Sequence, residues 1–477
     1  MTADRLFVRR RIGDTETPVS ALLKLGPDTP GTFLFESIIG GERLGRYSFI
    51  GHDPVEWFRI RAGQAETARD ARFRSPAIMD AAPVEALRTF AARARASGDE
   101  ALPPMASGAF GYVGYDMIQH VEPVAIRARD TLDVPEALLV IPRLVIIFDH
   151  LYQEILLVAR FGEGEREAAA LYLDSIEQRL DLPGPMPPRF EEAKRDEVEL
   201  TSNTPQERYF EMVDTARDYI RAGDIFQVVP SQRLSAPWAR RSIAFYRALR
   251  RLNPSAFMFH MALGDIRLVG SSPEILVRVR GGRVAIRPIA GTRPRSGDPL
   301  EDARRAEDLL GDEKEMAEHL MLLDLGRNDV GRVAAYGSVE VTERFVVERY
   351  SHVMHIVSHV EGNLREGLDS VDALLAGFPA GTVSGAPKIR AMQIIDELET
   401  ARRGIYGGAV GYFGWAGDMD TCIALRTAVI KDGMLHIQAG GGVVLDSDPQ
   451  YEFDETLHKA GALKRAAELA AAFEHDQ

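Results

Sequence analysis

Two glutamate pairs are the first residues in this sequence whose spacing could support chemistry. Glu315 and Glu318 lie in DEKEMAEHLMLLDLGRND, and Glu452 and Glu455 lie in DPQYEFDETLHKA. Residues three apart share one helix face, so each pair directs both carboxylates to one side. Such pairs are either solvated acidic faces or, with no cysteine and few histidines nearby, oxygen ligands for Mg²⁺. Because Mg²⁺ takes part of its coordination from water and substrate, the second interpretation also predicts an anionic substrate.

A glycine-rich loop and one arginine extend that prediction. The segment QAGGGVVLDSDP precedes the second glutamate pair, and its backbone N–H groups could bind an anion. Arg426 lies in the apolar segment CIALRTAV, which predicts a strand, and an unpaired charge there would be costly. We therefore expect Arg426 to have a carboxylate partner, either on a ligand or on a neighbouring strand.

Histidines occur at positions 352, 355 and 359 in ERYSHVMHIVSHV. His355 and His359 are four residues apart, but the zinc motif H-E-x-x-H requires glutamate where Ile356 stands, which excludes a zinc protease. If the segment is a strand, His352 points away from the other two. His355 is then either a hydrogen-bonded core residue or an acid–base catalyst.

Length and composition exclude several classes of protein. A chain of 477 residues, 45% of them hydrophobic, exceeds the usual size of a single core. The formal net charge of −14 disfavours binding to nucleic acid. The single cysteine, Cys422, excludes an internal disulfide framework and any multi-thiolate metal site. Without a signal-like segment or a long apolar run, the sequence predicts a cytoplasmic protein that does not bind a membrane.

The elements that must position these residues are short strands and amphipathic helices. Residues 1–181 predict a first domain with helices near 84–97 and 164–180. Residues 182–207 are rich in proline and charge and predict a linker. Residues 208–470 predict a second domain, and the frequent hairpins favour an α+β fold with antiparallel sheets.

Glycines and prolines mark three local features. Gly281 and Gly282 predict a hairpin turn, and a helix is expected to begin near Pro387. The segments GAFGYVGY (108–115) and GAVGYFGW (408–415) share a pattern, and their glycines indicate close approach of another backbone. This similarity is either chance or a repeat that contributes one strand to each of two facing sheets.

Six segments in order resemble the chorismate-utilising enzymes and, within them, the anthranilate synthase component I family. They are IAGTR, DEKEMAEHLMLLDLGRND, RYSHVMH, FPAGTVSGAPKIRAMQIIDELE, YGGAVGYFGW and QAGGGVVLDSDPQYEFDETLHKA. The resemblance covers residues 203 to about 467 densely and extends to FLFESIIGGERLGRYSFIG and GAFGYVGYD. It implies a two-lobed αββα sandwich with a chorismate-binding catalytic domain, and a magnesium-dependent reaction of chorismate.

The resemblance also implies how the site binds metal and substrate. Glu318 and Glu455 would hold Mg²⁺, and Glu315 and Glu452 would line the same site, directly or through water. The implied substrate-binding residues are Gly291, Thr292, Thr382, Tyr406, Arg426, Gly440, Gly441, Gly442 and Lys459.

Four further residues would carry catalysis and specificity. Glu274 would be the general acid for the departing ring hydroxyl, which requires a raised pKa, and His355 would assist the elimination of pyruvate. Water-using relatives carry a lysine base where this chain has Gln227. Aminodeoxychorismate synthases typically carry a nucleophilic lysine where this chain has Ala290. The resemblance therefore implies attack by ammonia and formation of anthranilate, the first step of tryptophan biosynthesis.

The resemblance implies two partners besides chorismate. Cys422 is not in the G-x-C-x-G elbow of a glutaminase, so ammonia would come from a separate glutamine amidotransferase subunit, in a heterotetramer of two large and two small subunits. Tryptophan would act as an allosteric feedback inhibitor, and Ala256 is a departure because the family often has proline there. The implied tryptophan-binding residues are Glu36, Ser37, Asn253, Ala256, Phe257 and Met258.

Two alternatives remain open from the sequence. The product could instead be aminodeoxychorismate or aminodeoxyisochorismate. The chain could also be a non-catalytic regulatory subunit that binds tryptophan, although this leaves the full set of carboxylates unexplained.

Overall fold

The computed structural model describes residues 4–39, 43–184, 196–350 and 353–474. His352 and residues 185–195 of the predicted linker lie outside these ranges. The α-helices in the described residues are α1 (Pro18–Leu25), α2 (Pro83–Arg93), α3 (Arg166–Leu180), α4 (Gln206–Arg221), α5 (Ser242–Leu252), α6 (Pro299–Gly311), α7 (Glu313–Val333), α8 (Ser370–Gly377), α9 (Lys388–Leu398) and α10 (Pro449–Leu469).

The strands of the N-terminal part include two long ones, β5 and β9, of 15 and 13 residues. They are β1 (Asp4–Ile12), β2 (Phe33–Glu36), β3 (Ile38–Ile39), β4 (Arg43–Leu44), β5 (Tyr47–Arg61), β6 (Gln64–Ala68), β7 (Ala77–Ile78), β8 (Gly108–Val113), β9 (Ala137–Asp149), β10 (Glu154–Gly162) and β11 (Thr201–Ser202).

The remaining strands include those that carry the candidate residues Gln227, Ala290, Gly291, Thr292, His355 and Gly440. They are β12 (Gln227–Val228), β13 (Ser231–Pro237), β14 (Phe257–Leu263), β15 (Ile266–Ser272), β16 (Ile275–Arg280), β17 (Arg283–Ile286), β18 (Ile289–Pro294), β19 (Glu340–Arg349), β20 (Val353–Asn363), β21 (Gly385–Ala386), β22 (Ala409–Gly414), β23 (Met419–Ile423), β24 (Thr427–Lys431) and β25 (Met434–Gly440).

Antiparallel pairing arranges most strands in two large sheets. The first sheet has the order β1-β10-β9-β5-β2-β14-β15-β24-β25-β13-β11. The second has the order β7-β6-β5-β9-β8-β22-β23-β16-β17-β20-β19, with β18 also paired to β20.

The long strands β5 and β9 belong to both sheets. Their pairing register shifts after Pro54, which lies opposite Pro142. Because proline cannot donate a hydrogen bond to a ladder, paired prolines weaken the ladder at this point. The first half of β5 pairs with the second half of β9 in the first sheet, and the other halves pair in the second sheet. The two strands therefore connect the sheets.

Helices cover the outer face of each sheet, and this confirms the predicted αββα sandwich. One buried cluster lies between the sheets and contains aromatic side chains such as Phe35, Phe110 and Tyr412. A second cluster packs the first sheet against α1, α3, α5 and α10. A third packs the second sheet against α2, α7 and α8.

Most local predictions are confirmed. Helices α2 and α3 correspond to the two helices expected near 84–97 and 164–180. Gly281 and Gly282 have φ values of 56° and 74° in the turn between β16 and β17. Pro387 caps the N-terminus of α9.

The prediction for the glycine-rich repeat was wrong in one respect. Strands β8 and β22 do not belong to facing sheets but pair with each other in the second sheet, with Gly111 opposite Gly411. A Cβ atom at Gly111 would lie 2.0 Å from the carbonyl oxygen of Leu138, and one at Gly411 would lie 2.1 Å from that of Asp420. The glycines thus serve the close backbone approach that the pattern indicated.

Candidate active site

Two neighbouring cavities contain nearly all the candidate residues. The first, called here the carboxylate cavity, has a volume of about 540 Å³ and is bounded by Glu315 and Glu318 of α7 and by Glu452 and Glu455 of α10. The second, called here the aromatic cavity, has a volume of about 950 Å³ and is lined by Phe35, Tyr47, Phe49, Phe257 and Tyr412 among others.

Aspartate caps fix the start of both glutamate helices. The Asp312 side chain accepts hydrogen bonds from the backbone N–H groups of Lys314 and Glu315, and the Asp448 side chain accepts one from that of Tyr451. Such caps satisfy N–H groups that have no partner within the helix. The glutamates therefore lie in the first one or two turns, where the positive end of the helix dipole favours negative charge.

The two glutamate pairs face each other across Gln227. The side-chain nitrogen of Gln227 lies 3.5 Å from Oε1 of Glu318. On its other side, the same nitrogen would lie only 2.7 Å from a Cβ atom added at Gly442. A Cβ atom at Gly441 would lie 2.9 Å from Glu452 and 3.3 Å from Glu455. Glycine in this loop therefore leaves room for the Gln227, Glu452 and Glu455 side chains to approach the backbone.

Burial and a neighbouring negative charge raise the pKa of one carboxyl group in each pair. Burial raises the pKa of Glu452, its hydrogen bond from Ser447 lowers it, and the neighbouring Glu455 raises it. Burial and then the charge of Glu318 raise the pKa of Glu315. Each pair has one cation nearby, with Arg293 3.4 Å from Glu315 and Lys459 3.3 Å from Glu455. Negative charge still accumulates between α7 and α10, and a bound cation would relieve it.

The donor chemistry of this cavity fits Mg²⁺. Its walls present carboxylate oxygens, and the one cysteine of the chain is buried elsewhere. Within residues 4–39, 43–184, 196–350 and 353–474, no three His, Cys, Asp or Glu side chains are close enough to hold a metal ion by themselves. A cation here would accordingly need oxygen atoms from water or a ligand.

Glu274 lies buried at the wall of the carboxylate cavity, directly before β16. Burial raises its pKa to about 8, while a hydrogen bond from Thr382 at 3.3 Å and the charge of Arg426 act in the opposite direction. The carboxyl group therefore carries a proton at neutral pH, as a general acid requires.

Arg426 is not in the middle of a strand, which corrects the sequence-based prediction. It lies in the connection before β24, with a φ of 48° in the left-handed region, and its carbonyl accepts a hydrogen bond from the backbone N–H of Ser271. Burial lowers the pKa of its guanidinium, and the charge opposing this effect is Glu274. Strained residues of this kind cluster at active sites and ligand-binding sites.

Other predicted substrate-binding residues cluster around the same cavity. Lys459 donates to the carbonyl of Gly440 at 2.9 Å. Tyr406 lies beside Gly440, and burial raises the pKa of its hydroxyl to about 12. Gly291, Thr292, Thr382 and Ala290 complete the wall.

His355 is buried in β20 opposite Thr292 of β18. Its Nδ1 lies 2.9 Å from the carbonyl oxygen of Gly291 and 3.1 Å from Oγ1 of Thr292. Burial lowers the pKa of its imidazole. The ring is thus neutral at neutral pH, and the Tyr350 ring packs edge-on against it at 5.5 Å.

The aromatic cavity contains four of the six residues that the resemblance connects with tryptophan, namely Glu36, Ser37, Ala256 and Phe257. The other two do not line it. Met258 packs in the buried cluster on the helix-covered face of the first sheet, and the side-chain amide of Asn253 donates to Ser271 at 3.3 Å.

Sequence inspection missed three supporting residues. Glu36 is bound by Arg250 at 2.7 and 3.0 Å and by the Tyr246 hydroxyl at 2.5 Å. Tyr246 and Arg250 are four apart on α5, a spacing that could have indicated a shared face. Arg403 is buried and donates to Glu399 and to the carbonyls of Val229 and Val383 in the wall of the carboxylate cavity. Glu399 and Arg403 are also four apart, but they lie beyond the end of α9, so no helical spacing indicated them.

Two further observations concern Cys422 and membrane association. Cys422 is fully buried, and burial raises the pKa of its thiol far above the usual range. A thiol in that environment cannot act as a thiolate nucleophile. None of the helices in the described parts of the chain combines enough length with enough apolar character to cross a bilayer.

Comparison with known sequences gives matches that agree with one another and cover nearly the whole chain. The sequence pattern described as chorismate binding enzyme matches residues 37–465. Anthranilate synthase component 1 of Cereibacter sphaeroides is 51% identical over 98% of this chain and 96% of its own length. The protein of that name from Thermus thermophilus is 48% identical over 98% of this chain and 99% of its own length.

Solved structures support the same relationship. Anthranilate synthase component I from Streptococcus pneumoniae superposes with a TM-score of 0.81 at 38% identity, covering 96% of this chain and 99% of that one. The menaquinone-specific isochorismate synthase of Escherichia coli, at 20% identity, superposes with a TM-score of 0.74 over 98% of this chain and 95% of that one. The second likeness concerns the fold alone.

Proposed function

The chain belongs to the chorismate-binding enzymes, in the group of anthranilate synthase component 1 proteins, and from this premise we propose that it converts chorismate and ammonia to anthranilate and pyruvate. The observation that carries the proposal is the composition of the carboxylate cavity. It joins a protonated acid, Glu274, to a buried cation, Arg426, and to the facing glutamates of α7 and α10.

Each group has a distinct task in this proposal. Arg426, Tyr406 and the loop Gly440–Gly442 bind the enolpyruvyl carboxylate, and Gly291, Thr292, Thr382 and Lys459 complete the substrate site. Glu274 donates a proton to the ring hydroxyl as it departs. Glu318 and Glu455, with Glu315 and Glu452 beside them, would hold Mg²⁺. When bound, Mg²⁺ would coordinate the ring carboxylate of chorismate and offset the negative charge of the glutamates.

Two cavity residues favour ammonia over other nucleophiles. Gln227 is a neutral amide, which cannot deprotonate water, and Ala290 has no amine to attack the ring. The product is then anthranilate and not a hydroxylated ring or an adduct with the protein.

We propose that a separate glutaminase subunit supplies ammonia in a heterotetramer of two large and two small chains. The name component 1, carried by the relatives, implies a second component. The buried, protonated Cys422 supports this because a glutaminase needs a reactive thiolate. Free ammonium should replace the partner because the groups for the synthase reaction are on this chain.

We further propose that tryptophan binds the aromatic cavity and inhibits the enzyme. A buried carboxylate at Glu36, the polar Ser37 and the aromatic walls suit an aromatic amino acid.

One assay tests the proposal. The purified chain, given chorismate, Mg²⁺ and ammonium, should release fluorescent anthranilate and an equal amount of pyruvate, and tryptophan should slow the reaction. A non-fluorescent product that retains the enolpyruvyl group would instead indicate an aminodeoxychorismate or aminodeoxyisochorismate synthase. Tryptophan binding without chorismate turnover would identify a regulatory subunit.

A further inference from the structure

The hydrogen bond between His355 and Gly291 determines which nitrogen of the imidazole carries a proton. The distance from Nδ1 to the Gly291 carbonyl oxygen is 2.9 Å. A carbonyl oxygen can only accept a hydrogen bond, so Nδ1 is the donor. A neutral imidazole carries one proton, and the lone pair therefore stays on Nε2.

We propose that Gly291 is a positioning residue whose carbonyl fixes His355 in the Nδ1–H tautomer and makes Nε2 the atom that accepts the ring proton during pyruvate elimination. This inference rests on the proposed anthranilate synthase activity. It gives Gly291 a task beyond lining the substrate site and assigns the proton transfer to one atom.

A local irregularity in β18 makes this contact possible. The register with β20 shifts between Ala290, which lies opposite Ile356, and Thr292, which lies opposite His355. Gly291 is the extra residue, and an extra residue in a bulge leaves the regular ladder and re-aims its groups. Its carbonyl is consequently available to a side chain of the partner strand.

Only glycine suits position 291. Its φ is 71°, in the left-handed region that other residues rarely adopt. A Cβ atom there would lie 3.1 Å from Leu309, 3.2 Å from the Glu315 carboxylate and 3.3 Å from Ile356. A side chain at position 291 would therefore strain the backbone that carries the carbonyl and would press on Leu309, Ile356 and the Glu315 carboxylate.

The proton transfer is balanced with this tautomer. The aminated ring carbon loses its proton to Nε2, and the electron pair of that C–H bond completes the aromatic ring. The bond from the ring to the enolpyruvyl oxygen breaks, and the departing group takes up a proton and leaves as pyruvate. The imidazolium formed in between keeps its Nδ1–H bond to Gly291, which stabilises the charge.

The same tautomer sets the direction of the Thr292 hydrogen bond. Since Nδ1 donates, Oγ1 of Thr292 accepts at 3.1 Å and keeps its own hydrogen. That hydrogen can be donated to an anionic substrate in the carboxylate cavity.

Nitrogen NMR of the full-length protein tests the assignment directly. The chain is labelled with ¹⁵N-histidine at neutral pH, and the resonances of His355 are identified by their loss in His355→Asn. We expect a protonated Nδ1 and an unprotonated Nε2. A protonated Nε2 with an unprotonated Nδ1 would overturn the inference, even if the protein makes anthranilate. Failure to make anthranilate would overturn the proposed function, whichever tautomer is found.

Gly291→Ala tests the consequence for catalysis. We expect pyruvate release in single-turnover experiments to slow at least tenfold, with accumulation of the aminated intermediate and a smaller change in the KM for chorismate. The control is Gly433→Ala, which strains a glycine of φ 72° that has no atom within 4 Å of the added carbon. A rise in KM with unchanged pyruvate release would contradict a positioning role and indicate substrate binding alone. If Gly291→Ala does not fold, the tautomer of the unmodified protein decides.

Discussion

The aromatic cavity and the carboxylate cavity are neighbours that share Pro273 and Ile289 in their walls, but they balance charge differently. In the aromatic cavity, acidic side chains have close cationic partners, as in Glu36 with Arg250 at 2.7 Å and Asp420 with Arg278 at 2.9 Å. In the carboxylate cavity, burial outweighs the charge of Arg426 and raises the pKa of Glu274 to about 8, so that this carboxyl group carries a proton at neutral pH.

This difference indicates different tasks for the two cavities. Paired charges are satisfied before a ligand arrives and suit recognition with little change of protonation. In the carboxylate cavity, burial raises the pKa values of Glu315 and Glu452 and lowers that of Arg426. Burial thus disfavours the charged form of each group, and a bound cation or anionic substrate would favour it. The proposed catalytic cavity and the proposed tryptophan cavity thus differ in how their buried carboxyl groups are neutralised.

The largest expected effect is the loss of the general acid. Glu274→Gln keeps the size and removes the transferable proton, so turnover with ammonium should fall by roughly 10²–10⁴-fold. Stopped assays of anthranilate and of total chorismate consumption measure it. Turnover within a factor of about three of the unmodified protein would show that Glu274 is not the acid.

Removal of a proposed Mg²⁺ ligand should be nearly as severe. Glu318→Ala should lower turnover by at least about a hundredfold, because the cation contributes several kcal/mol of charge stabilisation. A Mg²⁺ titration of activity provides the measurement, and Glu313→Ala, an exposed glutamate of the same helix, is the control. An unchanged Mg²⁺ dependence in Glu318→Ala would reject this assignment.

Breaking a paired charge in the aromatic cavity should affect stability more than catalysis. Arg250→Met leaves the fully buried Glu36 carboxylate without its cation, and we expect unfolding to require about 3 kcal/mol less. Denaturant titration measures this change. Arg221→Met, which removes an exposed pair with Asp218, should cost less than about 1 kcal/mol. Equal losses in the two variants would show that the Glu36–Arg250 pair stabilises the protein no more than an exposed pair does.

The pH dependence follows from the raised pKa of Glu274. The acid is active when protonated, so turnover should fall about tenfold per unit as the pH rises above 8. The folded state holds this proton between the ordinary value of 4.5 and 8. The contribution of Glu274 to the free energy of unfolding should therefore fall as the pH rises through that range.

Thr382→Val sharpens this prediction. The hydrogen bond from Thr382 lowers the pKa of Glu274, so its loss should move the alkaline limb to higher pH. Profiles of kcat against pH for the two proteins give the shift. A limb that moves to lower pH would mean that another group controls it.

The smallest expected effect concerns the shared wall. Ile289 lines both cavities and precedes Ala290 and Gly291 in β18. If tryptophan acts through this wall, chorismate weakens tryptophan binding by way of Ile289. The factor by which chorismate lowers the tryptophan affinity should then be a few fold smaller in Ile289→Ala. Met105→Ala, in the aromatic cavity away from the wall, should change affinity but not that factor. If Met105→Ala changes that factor and Ile289→Ala does not, the two cavities are not coupled through Ile289.

The sequence alone determined the composition of the site and the class of fold. Glutamates three apart, a glycine loop and the absence of zinc and thiolate motifs are local patterns, and local patterns can be read without coordinates. The alternation of strands, hairpins and helices predicted an α+β fold with antiparallel sheets, and the family resemblance implied the αββα sandwich; the structure confirms both.

Only the tertiary structure decided how distant segments meet. The pairing of β8 with β22, the left-handed conformation of Arg426 and the bulge that turns Gly291 towards His355 depend on contacts between residues far apart in the chain. The raised pKa of Glu274 has the same origin, because burial is a property of the packed sandwich and not of the segment GSSPE. Residue types set which chemistry is available, and packing sets which protonation state each group adopts.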